Sequence, residues 1–375
     1  MVLMKVSLNN IYGFKDFEVN FSYPRKIVNS IIESEHLEGR SNFRYKKALI
    51  LMGANATGKT SLGKALLNIF KLIGSMDAAA VIDMIPVGTS GSFSLDFVNE
   101  GFTLHRVSCV INNAVNAGIH DIKEYEMSFE YASTEIEAKD SYEKCAPRLS
   151  ETVSLSYNQF EAISKQIGKI NYTFSCPDIK PETKVAKLNK NSTLQILKAV
   201  IGTLDPTLRD IRISKDLKNS FIIRRASDEI IIQDGKLLNR EQLSSGTAEG
   251  VDISFFLALL FAGKNGFYYC DEHFSYIQTD IEKRIFGLML DNLGPNEQLI
   301  FTTHNTDMLE LNLPKHSYAF LRKRAEDQFR VTVQFASELL KRDTDSVRCA
   351  LENDMFSAIP DDSLLDSLEK GWNNE

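Results

Sequence analysis

Apolar and polar residues alternate from the start of the chain, which predicts a half-buried strand, a turn near Gly13 and a second strand ending at about Phe21. An uninterrupted apolar run occupies residues 48–52, and such a run is typical of a buried parallel strand. After a glycine-rich stretch, apolar residues recur from Ser61 to Ile73 at the spacing of an amphipathic helix. Short alternating runs between residues 92 and 132 predict edge strands of the β part.

The middle of the chain follows a different pattern. Residues 150–220 contain helical stretches, among them Ser192 to Leu204, and a hairpin-like apolar pattern follows, so we expect an inserted, partly helical lobe. Beyond Glu241, helical patterns alternate with short apolar runs, which indicates a mainly parallel α/β sheet. The polar stretch at 133–150 predicts a loop, and because sustained heptads are missing from the sequence, we expect no long coiled-coil arm.

Composition narrows the class of protein. The chain has 375 residues, 43% hydrophobic and 25% charged, which supports a large buried core. Its net charge of −7 argues against coating DNA by bulk charge and favours protein or nucleotide partners, although a local basic patch can still bind nucleic acid. Signal-peptide and membrane-spanning patterns are missing from the sequence, so we expect a cytoplasmic protein without membrane contact. The five cysteines form no CxxC pair, which predicts reduced, mostly buried thiols.

The strongest chemical signal is the segment GANATGKT at residues 53–60, which matches GxxxxGK[ST] between a predicted strand and a predicted helix. Backbone N–H groups of such a loop wrap phosphates, and the following helix N-terminus favours their charge. We expect Lys59 to reach the β- and γ-phosphates of ATP and the Thr60 hydroxyl to ligate Mg²⁺. The alternative, a chance glycine-rich turn, does not explain the flanking elements. The residues expected to bind the nucleotide here are Gly53, Asn55, Ala56, Thr57, Gly58, Lys59, Thr60 and Ser61.

Two adjacent acids end the predicted strand at residues 267–270. Asp271 can hold the Mg²⁺ shell, and Glu272 can polarise the attacking water. Acids at a strand end are often only a solvated terminus. The phosphate loop favours the catalytic interpretation, because phosphoryl transfer needs acidic metal and water partners from another strand.

Two further motifs follow the same order as in ABC ATPases. The segment LSSGT at residues 243–247 precedes a predicted helix and resembles the ABC signature LSGG, so Ser245 and Gly246 are expected to cap the γ-phosphate of a nucleotide on a second protomer. A simple helix N-cap is the alternative.

His304 ends the predicted strand 298–303, where ABC ATPases keep a switch histidine, although a lone histidine is more often a packing or surface residue. The histidines interpreted as structural or exposed are His36, His105, His120, His273 and His316.

Together, NIYGFKDF, GANATGKT, LSSGT, YYCDEH and FTTHN resemble the compact ABC-type ATPases related to RecF, SMC and the OLD proteins, especially those of bacterial anti-phage and abortive-infection systems. The C-terminal segment 346–360 also resembles the ending of that defence-associated subgroup. The resemblance implies an α/β P-loop NTPase fold, an ABC-type ATPase head with an inserted helical lobe and an antiparallel β subdomain. It implies hydrolysis of Mg-ATP, with catalytic roles for Lys59, Glu272 and His304, at a site shared in a homodimer or higher oligomer. It also implies control of a separately encoded effector, a nuclease or toxin.

The expected organisation has four segments. They are an N-terminal ATPase lobe with the phosphate loop at 1–130, an inserted second lobe at 131–240, an ATPase lobe with the signature, acid pair and switch histidine at 241–340, and a C-terminal tail at 341–375.

The chain departs from the ABC pattern in two places. It has no glutamine between Thr60 and Asn158, where the Q-loop glutamine normally stands, and no acid between Glu272 and Asp280 for the usual contact across the dimer. We therefore expect a different metal shell or lobe coupling, with hydrolysis that is slow or activated by a partner.

Three other functions fit the sequence less well: a DNA-binding repair ATPase, a small-molecule kinase and a nuclease. A RecF/SMC-like DNA-repair ATPase would need a basic groove, and the basic residues at 25–47 and 322–324 are expected to form a solvated surface because aromatic residues do not interleave with them. A small-molecule kinase would leave LSSGT unexplained. Because the sequence shows no recognisable HNH motif and no obvious Toprim acid set, a built-in nuclease is not indicated.

Overall fold

The computed structural model describes residues 1–113, 125–177, 185, 187–208, 210–225, 228–263, 266–324, 327–342, 344–359 and 365. The helices are α1 (Lys59–Ser75), α2 (Ala79–Ile82), α3 (Tyr142–Cys145), α4 (Tyr157–Ile167), α5 (Lys190–Leu204), α6 (Ser245–Phe261), α7 (Thr279–Asp291), α8 (Ala336–Leu339) and α9 (Val347–Glu352). The strands are β1 (Val2–Asn9), β2 (Phe17–Asn20), β3 (His36–Leu37), β4 (Arg40–Arg44), β5 (Ala48–Met52), β6 (Ser90–Val98), β7 (Thr103–Asn113), β8 (Tyr125–Glu135), β9 (Val153–Ser156), β10 (Tyr172–Ser175), β11 (Asp210–Ile213), β12 (Ser220–Arg224), β13 (Glu229–Gln233), β14 (Lys236–Leu237), β15 (Phe267–Asp271), β16 (Gln298–Thr302), β17 (Tyr318–Lys323) and β18 (Val331–Phe335). Within these described ranges, no helix is both long and apolar enough to cross a bilayer.

A mainly parallel sheet carries the chemical motifs. Its strand order is β10-β15-β16-β5-β17-β18, and β18 is the antiparallel edge strand. Strands β5, β15 and β16 are buried at every position, as their continuous apolar runs predicted for strands covered on both faces. The phosphate loop follows β5, the acid pair ends β15, and His304 follows β16. All three therefore come together at one edge, because the carboxyl ends of parallel strands lie on the same side of a sheet.

An antiparallel sheet of order β2-β1-β6-β7-β8-β9 covers the other side of α1. The apolar residues of α1, including Leu62, Leu66 and Ile69, form one core with the inward side chains of both sheets. Gln298 joins the two sheets directly, since its side-chain oxygen accepts a 2.9 Å hydrogen bond from the Leu3 backbone N–H. The N-terminal hairpin predicted from alternation is the β1–β2 pair.

A smaller sheet, β11-β12-β13-β14, packs with α5 and α6 around a separate apolar cluster. Helix α6 is buried over most of its surface because it lies between this sheet and the parallel sheet. Its Gly250 permits close helix packing, since a Cβ there would lie 2.4 Å from Leu204 Cδ1 of α5. The start of α6 is therefore held firmly by the body of the protein.

The segment 131–240, expected to form one inserted lobe, contributes to three sheets. Strand β9 extends the antiparallel sheet, β10 pairs in parallel with β15, and only the segment from α5 onward builds the smaller sheet. The short run of β10 could not reveal this pairing, because its partner is about a hundred positions away and strand pairing is not a local property.

The loop expected at 133–150 contains α3 and a following 3₁₀ turn, Ala146–Leu149. Tyr142 and Cys145 fix this segment by packing into a third apolar cluster, and Tyr142 donates a 2.6 Å hydrogen bond to Asp96. The apolar residues in this stretch are too few and too widely spaced to show a helical period.

Candidate functional site

The phosphate loop is shaped by backbone conformations that its glycines permit. Gly53 has φ +156°, and a Cβ there would meet the Leu321 carbonyl oxygen at 2.6 Å. Gly58 has φ +100° and packs against the ring of Phe14, which would lie 3.0 Å from an added Cβ. Thr57 closes the turn by donating a 2.8 Å hydrogen bond to the Ala54 carbonyl. Larger residues at Gly53 or Gly58 would therefore disturb the loop.

Lys59 begins α1 and is almost completely buried. Its ammonium group donates to the Gly53 carbonyl at 2.7 Å and the Ala54 carbonyl at 3.3 Å, and lies 3.3 Å from a carboxylate oxygen of Glu272. Burial lowers the pKa of Lys59, and the negative charge of Glu272 opposes that effect. The structure thus fixes the Lys59 cation inside the loop, facing the acid pair.

Asp271 is a buried carboxylate with two hydroxyl donors. Thr60 donates to one of its oxygens and Thr302 donates to the other, each at 2.7 Å. Burial raises the pKa of Asp271, while these two hydrogen bonds act in the opposite direction. A strand end in open solvent would show neither feature.

The pair formed by Thr60 and Asp271 fits a magnesium ion. Both groups offer hard oxygen atoms, and Mg²⁺ commonly takes one or two protein oxygens and completes its shell with phosphate and water. In the part of the chain that the structure describes, no cluster of three or more His, Cys, Asp or Glu side chains suits a metal.

Glu272 stands between a lysine and a histidine. Its carboxylate oxygen Oε1 lies 2.8 Å from His304 Nε2 as well as 3.3 Å from Lys59 Nζ. Hydrogen bonding to His304 is the largest influence on the pKa of Glu272 and lowers it, with a further lowering by Lys59 against the effect of burial. The residue adopts a left-handed φ of +51°, and its N–H donates to Thr302 Oγ1 at 3.1 Å. The Glu272 carboxylate thus contacts one residue that follows β5 and one that follows β16.

Glu282 holds the segment that carries His304, although the sequence analysis did not identify it. Its buried carboxylate on α7 accepts a 2.8 Å hydrogen bond from Thr303 Oγ1 and a 2.7 Å bond from Asn305 Nδ2. Burial raises its pKa, opposed by these two hydrogen bonds. Both neighbours of His304 are thus tied to one carboxylate. The only sequence signal was an acid on the apolar face of a helix, which is weak by itself.

The signature-like segment begins α6. Ser244 is the N-cap and its hydroxyl accepts a 3.2 Å hydrogen bond from the Thr247 N–H, whereas Ser245 is exposed. Gly246 is constrained, because a Cβ there would lie 2.6 Å from the Tyr276 carbonyl oxygen. The loop that contains Tyr276 makes a second contact with α6, because the Tyr276 N–H donates a 3.1 Å hydrogen bond to Glu249. The first turn of α6 is thereby connected to the chain that follows Glu272.

The remaining predicted nucleotide ligands differ in position. Asn55 and Ala56 are exposed and line a cavity beside the phosphate loop, while Ser61 is half-buried in the first turn of α1. Residues 244–247 are not among the described residues that line this cavity or the one at Glu272 and His304.

The other histidines have structural surroundings where the structure describes them. His273 is fully buried and 2.8 Å from Ser175 of β10, His316 is 2.5 Å from Glu35, and burial lowers the pKa of His105 to about 4. His36 is half-buried, and His120 lies outside the described residues.

Three basic residues between 25 and 47 have partners within the chain, whereas Arg25 and Lys26 are exposed. Lys46 donates to two backbone carbonyls, at 2.7 and 2.8 Å, and Lys47 donates to a third at 2.7 Å. The Arg40 guanidinium lies 3.6 Å from the centre of the Phe102 ring. These contacts hold the three side chains against the fold.

No protein-family model matches the chain, and no curated protein matches it in sequence. Its fold is similar to the crystal structure of an Smc head bound to the C-winged helix domain of ScpA, with a TM-score of 0.51 and 14% identity, covering 94% of this chain and 100% of that one. It is also similar to an Smc head with an extended coiled coil bound to the C-terminal domain of ScpA, derived from Pyrococcus furiosus, with a TM-score of 0.51 and 12% identity over 90% and 97% of the two chains. The recombination mediator protein RecF matches with a TM-score of 0.42 and 10% identity over 88% and 97%.

The likeness to the two Smc heads shows that this chain has the P-loop fold of ABC-type ATPase heads. The fold class predicted from the sequence is therefore confirmed. At sequence identities this low, similarity supports a shared fold and not a shared function. The chemistry of the site is therefore inferred from its own residues.

Proposed function

We propose that this chain binds Mg-ATP in the phosphate loop and hydrolyses it. The observation that carries the proposal is the convergence of Lys59, Thr60, Asp271, Glu272 and His304, from three strand ends, within direct hydrogen-bond or ion-pair contact. This set combines a phosphate-binding cation, an oxygen site for Mg²⁺ and a carboxylate bonded to a histidine, which are the parts that phosphoryl transfer to water requires.

Each residue has a role that follows from its contacts. Lys59 binds the β- and γ-phosphates, and Thr60 with Asp271 holds Mg²⁺, which neutralises developing phosphate charge when bound. Glu272 orients and polarises the attacking water, because its lowered pKa keeps the carboxylate ionised. His304 fixes that carboxylate, and its further proposed role is to contact the γ-phosphate. Because Lys59 also contacts Glu272, the nucleotide phosphates and the proposed catalytic carboxylate would share one ammonium group.

The site is completed by a second copy of the chain. This part of the proposal is supported by the exposed Ser245 in the signature-like segment at the start of α6. A helix N-terminus with a free hydroxyl is suited to a γ-phosphate brought by a partner. The test is phosphate release per chain over a range of chain concentrations, with the molar mass measured in Mg-ATP. A composite site gives a rate that rises with concentration alongside dimer formation, whereas a constant rate from a monomer contradicts it.

The biological role we propose is the ATPase subunit of an anti-phage defence system that senses infection and controls a separately encoded effector, a nuclease or toxin. Support comes from the resemblance of the motif set, from NIYGFKDF to FTTHN, to the defence-associated ATPases. The test is phage plating on cells that carry this gene with its neighbouring genes. Protection that is lost in the Lys59→Ala variant supports the role, and equal plating with and without the intact genes argues against it.

The alternative is a RecF/SMC-like ATPase that binds DNA. The internal use of Lys46, Lys47 and Arg40 disfavours it, because those cations already have partners. DNA affinity measured against salt concentration separates the two functions. Tight binding whose logarithm falls steeply and linearly with the logarithm of salt concentration would establish a phosphate-binding surface.

A further inference from the structure

The end of β10 lies at the same edge of the parallel sheet as the acid pair. β10 runs parallel to β15, and its last residue, Ser175, is level with Cys270, one position before Asp271. Ser175 is 2% exposed, so its hydroxyl lies inside the protein. A fourth strand thus brings a polar side chain to this edge, next to the strand that leads into Glu272.

The Ser175 hydroxyl contacts the residue that directly follows Glu272. A 2.8 Å hydrogen bond joins Ser175 Oγ to His273 Nε2, and the histidine tautomer decides which of the two atoms donates it. His273 is completely buried, so the bond forms away from bulk water. Such a bond is costly to break, because water cannot replace either partner. The contact therefore fixes the position of His273.

The turn after β15 is anchored at two consecutive residues. Glu272 has a left-handed φ of +51°, so the chain changes direction there. On one side of β15, His273 bonds to β10. On the other side, the ring of Phe274 packs against Phe301 of β16, with ring centres 5.2 Å apart. Glu272 thus stands between the end of a buried strand and two anchored residues.

We propose that His273, held by Ser175, is a positioning residue for the Glu272 carboxylate. The inference rests on the proposed function, in which Glu272 polarises the attacking water. Ser175 and His273 act through the backbone of the turn and do not touch the nucleotide. Their contribution to the rate follows from geometry, because a misplacement of about 1 Å at a reacting group can cost roughly a hundredfold in rate.

A purely space-filling role explains this contact less well. β10 and β15 also pack through aromatic rings, since the ring centres of Phe174 and Tyr269 lie 5.6 Å apart. Another apolar pair at the strand ends would fill space without the cost of burying polar groups. A hydrogen bond adds a defined direction and distance, which packing alone does not supply. The polar pair of Ser175 and His273 therefore fits a requirement for precise geometry beside Glu272.

The test removes the hydrogen bond at Ser175, where the change in volume is smallest. Ser175→Ala should lower kcat for ATP hydrolysis about tenfold and leave KM and ATP affinity within about twofold, because the phosphate loop is untouched. Ser175→Thr keeps a hydroxyl and should retain most of the wild-type rate. Thr173→Val removes a buried hydroxyl two positions earlier on β10, and as the matched control it should hydrolyse ATP like the wild type. The Tm of each variant shows that it is folded in the assay.

Two double variants test whether the effect passes through Glu272. His273→Phe keeps a ring but cannot bond to Ser175. Combined with Ser175→Ala it should lower kcat about tenfold, as each single variant does, and not about a hundredfold. In the Glu272→Gln background, Ser175→Ala should cause no further loss, because the carboxylate that it positions is gone. Single-turnover phosphate release measures these slow rates.

The outcomes separate this inference from the proposed function. If Glu272→Gln is slow but folded Ser175→Ala keeps the wild-type kcat, the proposed function stands and the positioning role is refuted. An equal loss in Thr173→Val, an undiminished tenfold loss in the Glu272→Gln background, or a parallel loss of ATP affinity also overturns the positioning role, because each shows general damage. Wild-type turnover by Glu272→Gln itself refutes the proposed role of Glu272, and the positioning role with it.

Discussion

The ammonium group of Lys59 lies 3.3 Å from Glu272 Oε1, so the proposed phosphate-binding cation and the proposed catalytic carboxylate contact each other directly. His304 approaches the same oxygen at 2.8 Å. A phosphate bound by Lys59 would therefore share its ammonium group with Glu272, which brings the proposed catalytic carboxylate next to the phosphate site.

Replacing Lys59 with Ala should weaken ATP binding roughly ten- to a hundredfold, because the loop loses a charge-assisted hydrogen bond to phosphate. Titration of a fluorescent ATP analogue measures the change. Lys64→Ala is the matched control, because Lys64 stands on the same helix outside the loop and should leave affinity intact. Near-normal affinity of Lys59→Ala would refute the phosphate-loop assignment.

Replacing Glu272 with Gln should lower phosphate release about a hundredfold or more and leave ATP binding in place, since the variant keeps the shape of the side chain but loses the base. ATP should then remain bound and the closed assembly should persist. Single-turnover phosphate release and size-exclusion chromatography in Mg-ATP measure both effects. Unchanged turnover would mean that another residue activates the water.

The lowered pKa of Glu272 makes a prediction about stability against pH. Its ionised form is favoured in the folded chain, chiefly by His304, so its contribution is fully present above its unfolded pKa of 4.5 and is lost as pH falls through the lower folded-state pKa. The difference in Tm between the wild type and Glu272→Gln should shrink as the pH falls below about 4.5, because Glu272 then loses its charge. A difference that grows as the pH falls below about 4.5 would contradict the ion-pair geometry.

Replacing Glu282 with Ala should lower kcat about tenfold with a much smaller change in KM, because it releases Thr303 and Asn305 and so misplaces His304 without touching the phosphate loop. Glu282→Gln should recover part of the rate, since it keeps one acceptor oxygen. Lys283→Ala, on the same helix in a partly exposed ion pair with Glu310, is the control and should behave as the wild type. If Glu282→Ala, Glu282→Gln and Lys283→Ala all changed kcat and KM equally, Glu282 would have no specific role in positioning His304.

Replacing Ser245 with Glu tests the second copy, because it sets a negative charge against the partner's γ-phosphate. Gly246 is less suitable, since any side chain there meets the Tyr276 carbonyl and would disturb the loop after Glu272. The variant alone should bind ATP but turn it over slowly.

Mixing Ser245→Glu with Lys59→Ala should restore roughly a quarter of the wild-type rate, since half of the random dimers are mixed and each has one intact site of two. This expectation applies once exchange of protomers is verified and if one intact site can turn over alone. With exchange verified, wild-type turnover by Ser245→Glu alone would contradict a role on the partner's nucleotide. The segment 243–247 would then be only a helix cap.

The sequence by itself determined the elements whose signal is local. The strand at 48–52, the loop at 53–60 and the helix after it are adjacent in the chain, so hydrophobic period and glycine spacing define them together. The position of the acid pair at a strand end was equally predictable, because the apolar run ends where the charges begin. These three features also indicated the fold class.

Only the tertiary structure decided which distant residues meet. Thr60 donates a hydrogen bond to Asp271 across 211 positions. Thr302, which lies in FTTHN but had no assigned role, and Glu282, which lies in no motif, were revealed by their contacts with Asp271 and with the neighbours of His304. The pairing of β10 with β15 and the cavity between the phosphate loop and the C-terminal segment were likewise absent from any local pattern. The physical reason is that strand pairing and the packing of side chains are selected by the free energy of the whole fold, and a local pattern records only which face of each element is buried.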